Sequence, residues 1–573
     1  MRSRIFSSLL LAATASVSLA DAVLPPSAFR SYRDGIVVCD LAEAGVSESF
    51  PEYGNSPDGI GCGVPNAPWL FFRGEPMRLA GGPEGGGWYT FTETTDHGRD
   101  GPGAFLYEGP ELDKWDPEGK GLWLYGYWSH DWAMQVLKVA SIDHEKKEIR
   151  FAEKAVYGIG ENTWGGNVRR FRSINSFEEL DSPGEWWLDR ERNLLHFYPP
   201  NEIREGDAAL AWKPDSALYI IGQTNVVVSG KRFHSGFGNG IEIRRSKNVR
   251  IENCVIEGFR RKGVAIDETC ENVVVSNCVI RWTGEAGVTM DGGDRRTLRP
   301  GRNAVVGCDI SHFGLFQRVY APAVDIHGCG QTVRGNRLHE GFHTAALYVG
   351  NEHLIERNDI YHAVTESGDA GALYSGRDWT SQGNVIRWNY IHDLGNTVSD
   401  GGKSVFTMGV YLDDCDCGDT VVSNYFLQAG CALMIGGGRD NRFVGNVIVD
   451  CEKAFLLDDR GASFAADHWN NPNDSSWNLL GKAEAMHYRE EPWASRYPDL
   501  ARILDDDPRL PLHNVFAGNR VYACRRVYDF SEGVVKLIEE GRLATNDVVH
   551  AGMPGPDVFR KWKRDAGFPG TAP

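Results

Sequence analysis

From about residue 216 onward the apolar and polar positions repeat one short phrase: small or apolar, variable, apolar, then polar or glycine. The phrase occurs nine times, first as Ile241-Glu242-Ile243-Arg244, Val264-Ala265-Ile266-Asp267, Val288-Thr289-Met290-Asp291, Val324-Asp325-Ile326-His327 and Leu347-Tyr348-Val349-Gly350. It continues as Leu373-Tyr374-Ser375-Gly376, Val410-Tyr411-Leu412-Asp413, Leu433-Met434-Ile435-Gly436 and Phe455-Leu456-Leu457-Asp458. Successive side chains of a strand face opposite ways, so the first and third residues point inward and the second and fourth outward. The inner columns are nearly all aliphatic, which predicts a solenoid of short strands.

A second column follows each phrase: Asn253, Asn277, Asn336, Asn358, Asn389, Asn424, Asn446 and Asn519, with Gly307 filling the gap. Asparagine tolerates a left-handed turn, and its amide can bond the turns above and below, so the column reads as a corner ladder. Cys254, Cys278 and Cys308 follow three corners and read as stacked core residues. The shortest corner-to-corner steps, 336 to 358 and 424 to 446, suit three short strands and three turns per coil. The Leu-x-x-Leu-x-Leu pattern and helical half of a leucine-rich repeat are missing, and parallel crossovers are right-handed. The expected fold is therefore all-β, a right-handed parallel β-helix over residues 216–573.

Residues 21–215 lack the phrase and show alternating strands with turn signals, as in Trp69 to Glu75, Gly121 to Trp128 and Gly184 to Pro200. They predict an antiparallel β module at the N-terminal end of the solenoid. Residues 1–20 read as an export signal, with Arg2 and Arg4, an apolar run from Leu9 to Ala15, and Ser18-Leu19-Ala20 as the cleavage site. A secreted or periplasmic monomer without a membrane span is expected. The net charge of -18 argues against nucleic acid and anionic membrane as partners. Twelve cysteines would permit disulfides in that setting, and Cys39 could pair with Cys62, although most thiols read as buried and reduced.

The coils are not equal. Long loops precede Ser375 and Leu412, another follows Ser375, and the segment 461–512 carries Trp469, Trp477, Trp493 and Tyr497. Loops on both sides of the same strands would wall a groove, with 461–512 as a lid or one wall. On the outward face one column reads Tyr348, Tyr374, Tyr411 and Met434, and the next His327, Gly350, Gly376, Asp413, Gly436 and Asp458. Coils lie about 4.8 Å apart, so glycines on either side of Asp413 would leave a sugar-sized hollow beside a carboxylate.

Asp369 precedes the strand stacked beneath Asp413 and Asp414, so carboxyls from adjacent coils can converge. Glycosidic cleavage needs such a pair in unlike surroundings, one protonated and one ionised. Arg377-Asp378-Trp379, Arg439-Asp440-Asn441 and Asp458-Asp459-Arg460 occupy successive turns, where Arg and carboxylate would fix sugar hydroxyls or orient a catalytic acid. His339, His362 and His392 would line one edge. Their spacing is that of the coil rather than of a ligand motif, so no metal or other cofactor is expected.

The segments Gly368 to Trp379, Gly409 to Asp414 and Gly436 to Asn441 resemble the signature of right-handed β-helix glycoside hydrolases similar to glycoside hydrolase family 141. The resemblance extends to Gly184–Pro200 and to the Trp-rich insertion. It implies a fucosidase- or xylanase-type enzyme acting on complex polysaccharide, with catalytic aspartates at Asp369 and at Asp413 or Asp414. Substrate contacts are expected from Tyr348, Tyr374, Arg377, Asp378, Trp379, His392, Tyr411, Arg439, Asp440, Asp459 and Arg460. A polysaccharide lyase or uronate epimerase on the same scaffold is the alternative, kept open by Tyr374, Tyr411 and His392 and weakened by the lack of a basic outward column. A non-catalytic carbohydrate-binding surface protein would give the paired carboxylates nothing to do.

Overall fold

The computed structural model describes residues 16–50, 68–91, 93–117, 121–160, 169–395 and 406–568. The repeating phrase forms strands of one parallel sheet, eleven strands deep, which adds Leu218–Ile221 below the first phrase and Arg526–Phe530 above the last. Two further strands per coil complete a right-handed parallel β-helix, paired parallel to the coils above and below. Inward residues such as Ile241, Val264, Val288, Val324, Leu373, Val410, Leu433 and Phe455 stack in a continuous apolar core.

Two columns shift by one residue against the expectation. Backbone pairing puts Asn253, Asn277, Gly307 and Gly335 in one column and Cys254, Cys278, Cys308 and Asn336 in the next. Asn253 and Asn277 serve as the left-handed residue, φ 55° and 52°. The hydrogen-bonded ladder runs Asn336, Asn358, Asn389, Asn424, Asn446, Asn519, and ends on Asp547. Each amide reaches the next coil at 2.8–3.1 Å. Cysteines occupy the ladder position in the early coils, the Cys254 N–H meeting Cys278 Sγ at 3.4 Å. The eleven described cysteines are free thiols; Cys62 lies outside the described residues.

The second shift concerns the fifth phrase. Its strand is Ala346–Tyr348, with Ala346 opposite Val324 and Leu373, so Leu347 faces outward beside Tyr374 and Tyr348 faces inward. The strand tolerates either register by hydrophobicity alone, and the Tyr348 hydroxyl decides it by donating to buried Asp419 at 2.7 Å.

A second ladder lines another corner, running through Asn303, Gln331, His353, Asn384, Asp419, Asn441 and Asn514. Mixed residue types hide it from the repeat pattern. The N-terminal module consists of seven-, five- and four-stranded sheets, antiparallel apart from Glu185 to Trp186 against Arg78 to Leu79. Ser16–Ser18 lies parallel on Arg232–His234 at the solenoid's first coil, and residues 1–15 are outside the described set. No described helix is long and apolar enough to cross a membrane. The insertion folds as short helices, Leu479–Ala485, Trp493–Arg496 and Pro498–Ala501, around buried Trp379, Trp493 and Tyr497.

Candidate active site

The strands Ala370–Gly376 and Thr407–Asp413 pair in register with Tyr374 opposite Tyr411 and Gly376 opposite Asp413. Extending that register by one residue sets Asp369 against Phe406, and the Asp369 N–H donates to the Phe406 carbonyl at 2.8 Å. Asp369 takes a left-handed backbone, φ 49°, as the loop turns into the strand. The preceding Gly368 N–H donates to the Asp131 carbonyl of the N-terminal module at 3.1 Å. Asp131 is held by buried Arg170 at 2.6 Å, so the module fixes the loop that presents Asp369.

The two carboxyls have different surroundings. Tyr411 donates to Asp369 Oδ1 at 3.1 Å, and Tyr374 donates to Asp413 Oδ2 at 3.0 Å. Burial, then the Asp413 charge, pushes the Asp369 carboxyl up to about 7. Burial and Asp414 also raise Asp413, opposed by Arg460 and the two tyrosines. Arg460 Nη1 bonds Asp413 Oδ1 at 2.5 Å and Asp414 Oδ1 at 2.9 Å, while Nη2 bonds Asp458 at 2.7 Å. Asp414 is engaged on both oxygens, because Arg377 Nε donates to Oδ2 at 2.8 Å and Arg377 Nη2 donates there too. Asp369 is the one carboxyl of the three without a guanidinium directly on it among the described contacts.

The expected sugar-sized hollow beside Asp413 is not formed by its two glycines. A Cβ on Gly436 would stand 2.5 Å from Arg460 Cζ, so this glycine makes room for the guanidinium rather than for a sugar. On the other side, a Cβ on Gly376 would meet the Asp413 backbone oxygen at 2.8 Å, so that glycine allows close strand approach.

Of the predicted contacts, Tyr374, Arg377, Tyr411 and Arg460 converge on the carboxyls. Tyr348 does not, being in the core through the register shift. Trp379 is buried in the insertion's apolar cluster and Asp378 caps its own turn, accepting from the Thr380 N–H at 2.8 Å, so neither presents a face to a ligand. His392 belongs to a different sheet, bonded to Asp359 and Asp393 and stacked on Tyr361 and Tyr390 with His339 in the same column. Asp459 turns to the C-terminal cap, where it accepts from Ser531 at 2.6 Å. Arg439 and Asp440 form an ion pair tied to Asp506 and line a separate cleft of about 480 Å³. Most of these are turn residues, and a turn's direction cannot be read from strand alternation.

Several residues at the site carry no signal in the repeat. Tyr320, from the loop before the Val324 strand, sits 6.4 Å from Tyr374, and burial and the Asp413 and Asp369 charges raise its hydroxyl. Tyr157 feels the Arg377 charge and stacks edge-on with Trp132 and His130 of the module. Phe406, 41 % exposed, adjoins Asp369, and Phe464, 56 % exposed, lies 5.7 Å from the Arg460 guanidinium. The insertion reaches the site as expected, Ser476 Oγ bonding Arg377 at 2.9 Å and Trp477 standing 4.9 Å from its guanidinium. It also spans the flank, Trp493 donating to the Arg295 carbonyl at 3.1 Å, so it is a wall bound over several coils.

The family model for the right-handed β-helix region matches residues 201–314 and 322–478. No curated protein matches the chain. Among solved structures, a "Glycoside hydrolase" is 13 % identical over 72 % of this chain and 80 % of its own, with a TM-score of 0.53. XylC in complex with xylose is 10 % identical over 94 % and 76 %, TM-score 0.37, and pectate lyase Pel9A is 14 % identical over 39 % and 56 %, TM-score 0.25. At 13 % identity the likeness to the first of these is one of fold.

Proposed function

We propose that this chain is a carbohydrate-active enzyme, a glycoside hydrolase exported from the cell, that cleaves glycosidic bonds in complex polysaccharide containing fucosides or xylosides. One observation carries the reading: Asp369, raised to about 7 with no guanidinium on it, shares the site with Asp413, whose carboxyl is also raised by burial but carries the Arg460 guanidinium and tyrosine hydroxyls that favour its charged form. A protonated acid beside an ionised carboxylate is the division of labour that glycosidic cleavage uses. In this reading Asp369 protonates the leaving oxygen and later acts as base. Asp413 attacks the anomeric carbon or activates water, and Asp414 orients Arg377 and Arg460. The resemblance of residues 368–379 and 409–414 to glycoside hydrolase family 141 supports it, as does the fold shared with the solved glycoside hydrolase.

The geometry favours hydrolysis over elimination. A lyase needs a group able to take the proton beside a uronate carboxylate. Tyr374 and Tyr411 are pushed well above the usual phenol range, chiefly by burial, which makes them donors rather than bases. Arg377 and Arg460 are already bound to carboxylates. A screen of polysaccharides and aryl glycosides, fucosides and xylosides first, with product analysis, tests the reading. Reducing sugar without ultraviolet-absorbing product is expected, and an unsaturated uronide would establish a lyase instead.

A further inference from the structure

Four carboxyls fall within the seven residues 413–419: Asp413, Asp414, Asp416 and Asp419. The guanidinium groups of Arg377 and Arg460 serve Asp413 and Asp414, and among the described residues no ion pair reaches the other two. Asp419 is supplied with donors, the Tyr348 hydroxyl at 2.7 Å and Asn384 Nδ2 at 2.9 Å. Asp416 has none. Its side chain is 0 % exposed and both carboxyl oxygens lack a hydrogen-bond partner. The hydroxyl of Ser375, also buried and unpartnered, leans toward it without closing a hydrogen bond.

An ionised carboxylate without donor or counter-charge in a dry interior is so costly that the group takes up a proton or a cation instead. Among the described residues no three His, Cys, Asp or Glu side chains are grouped to hold a metal ion, which leaves the proton. We propose that Asp416 carries a proton in the working protein and acts, as a neutral acid behind the catalytic strand, as a positioning residue that allows Asp413 to remain ionised. Its location suits that role, because the Asp416 N–H donates to the Asp413 carbonyl at 3.0 Å and so opens the turn in which that strand ends. A second anion there would oppose the charge on Asp413.

The charges facing Asp416 all act in one direction. Burial acts most, then the charges of Asp419 and of Asp378 from the coil below, with Asp413 adding and only Ser375 opposing, so its carboxyl is held well above the usual range. Arg295 is committed to Asp378, and the flanking Cys415 and Cys417 thiols are themselves raised and neutral. The catalytic half of the proposal rests on the reading of Asp413 given above; the protonation half does not.

The experiment compares the full chain with Asp416→Asn, which keeps a neutral group of the same shape. A carboxyl whose folded value exceeds its unfolded one stabilises the fold at low pH and loses that contribution as pH rises through the folded value. The wild-type unfolding midpoint should therefore fall relative to that of Asp416→Asn as pH rises above about 4, the ordinary carboxyl value, the two curves lying closest at the acid end. On a confirmed substrate, Asp416→Asn should leave the acid limb of the pH–rate profile, set by ionisation of Asp413, where wild type has it; a limb displaced to lower pH would show that Asp416 is charged in wild type and would overturn the proposal. Parallel stability curves, or a metal ion bound stoichiometrically by wild type and lost in Asp416→Asn, would overturn the proposal. Should the variant not fold, infrared spectra of wild type across the same range decide it: a protonated-carboxyl stretch persisting above neutral pH supports the assignment, and its absence rejects it.

Discussion

At the scale of single residues, what matters at the site is how three neighbouring aspartates come to differ. Asp414 has guanidinium groups on both oxygens, Asp413 shares one with a tyrosine, and Asp369 has a tyrosine alone. If Asp369 and Asp413 are the acid and the nucleophile or base, Asp369→Asn and Asp413→Asn should each lower turnover by about 10²- to 10⁴-fold with the fold intact. Asp414→Asn, which leaves Asp413 with its own partners, should cost about tenfold. Near-normal turnover in the first two variants would make these carboxyls structural. Because Asp369 must be protonated as acid and is raised to about 7, kcat/KM should decline above about pH 7, measured on the wild-type enzyme.

At the scale of elements, each coil from Asn336 onward adds one amide to a ladder, and the ladder holds in line the coils that carry the candidate site. Asn389 accepts from the Asn358 N–H at 3.0 Å and donates to the Ile355 carbonyl at 3.0 Å and to Asn424 at 3.0 Å. Replacing it by Leu leaves several buried polar groups unpaired and should destabilise by about 2–4 kcal/mol, read from chemical unfolding. Asn253 should behave differently: its role is the left-handed backbone, so Asn253→Gly should be tolerated within about 1 kcal/mol. The insertion is an element of a different kind, built on an apolar cluster rather than on strand pairing. Phe464 projects from it beside Arg460, and Phe464→Ala should raise KM several-fold, roughly the loss of one stacking contact of about 1 kcal/mol, with little change in kcat.

At the scale of the whole molecule, the N-terminal module is part of the site rather than an end cap alone. Arg170 is buried against Asp131 and the Glu366 carbonyl, and Asp131 in turn holds Gly368, the residue before Asp369. Arg170→Met should strand a buried carboxylate, cost about 3–5 kcal/mol of stability, and reduce kcat more than KM because Asp369 loses its fixed position. A loss of stability with unchanged turnover per folded molecule would separate the module from the site. The sequence by itself determined the solenoid, because a period-2 apolar phrase recurring once per coil leaves parallel stacking as the way to bury every inward column. It also determined the convergence of Asp369, Tyr374, Arg377, Tyr411, Asp413 and Asp414, since these lie on or beside consecutive strands whose register the phrase fixes. The tertiary structure alone decided the rest. Tyr348 and the Asn253 column moved by one residue because hydrophobicity tolerates either register and a hydrogen bond or a left-handed turn selects between them. The directions of Trp379, Arg439 and Asp459 follow turn geometry, which has no alternation to read, and His392 lies on a strand of a different sheet. Tyr157, Tyr320 and the Asp131–Arg170 support reach the site from distant stretches of chain, through packing that no local pattern encodes.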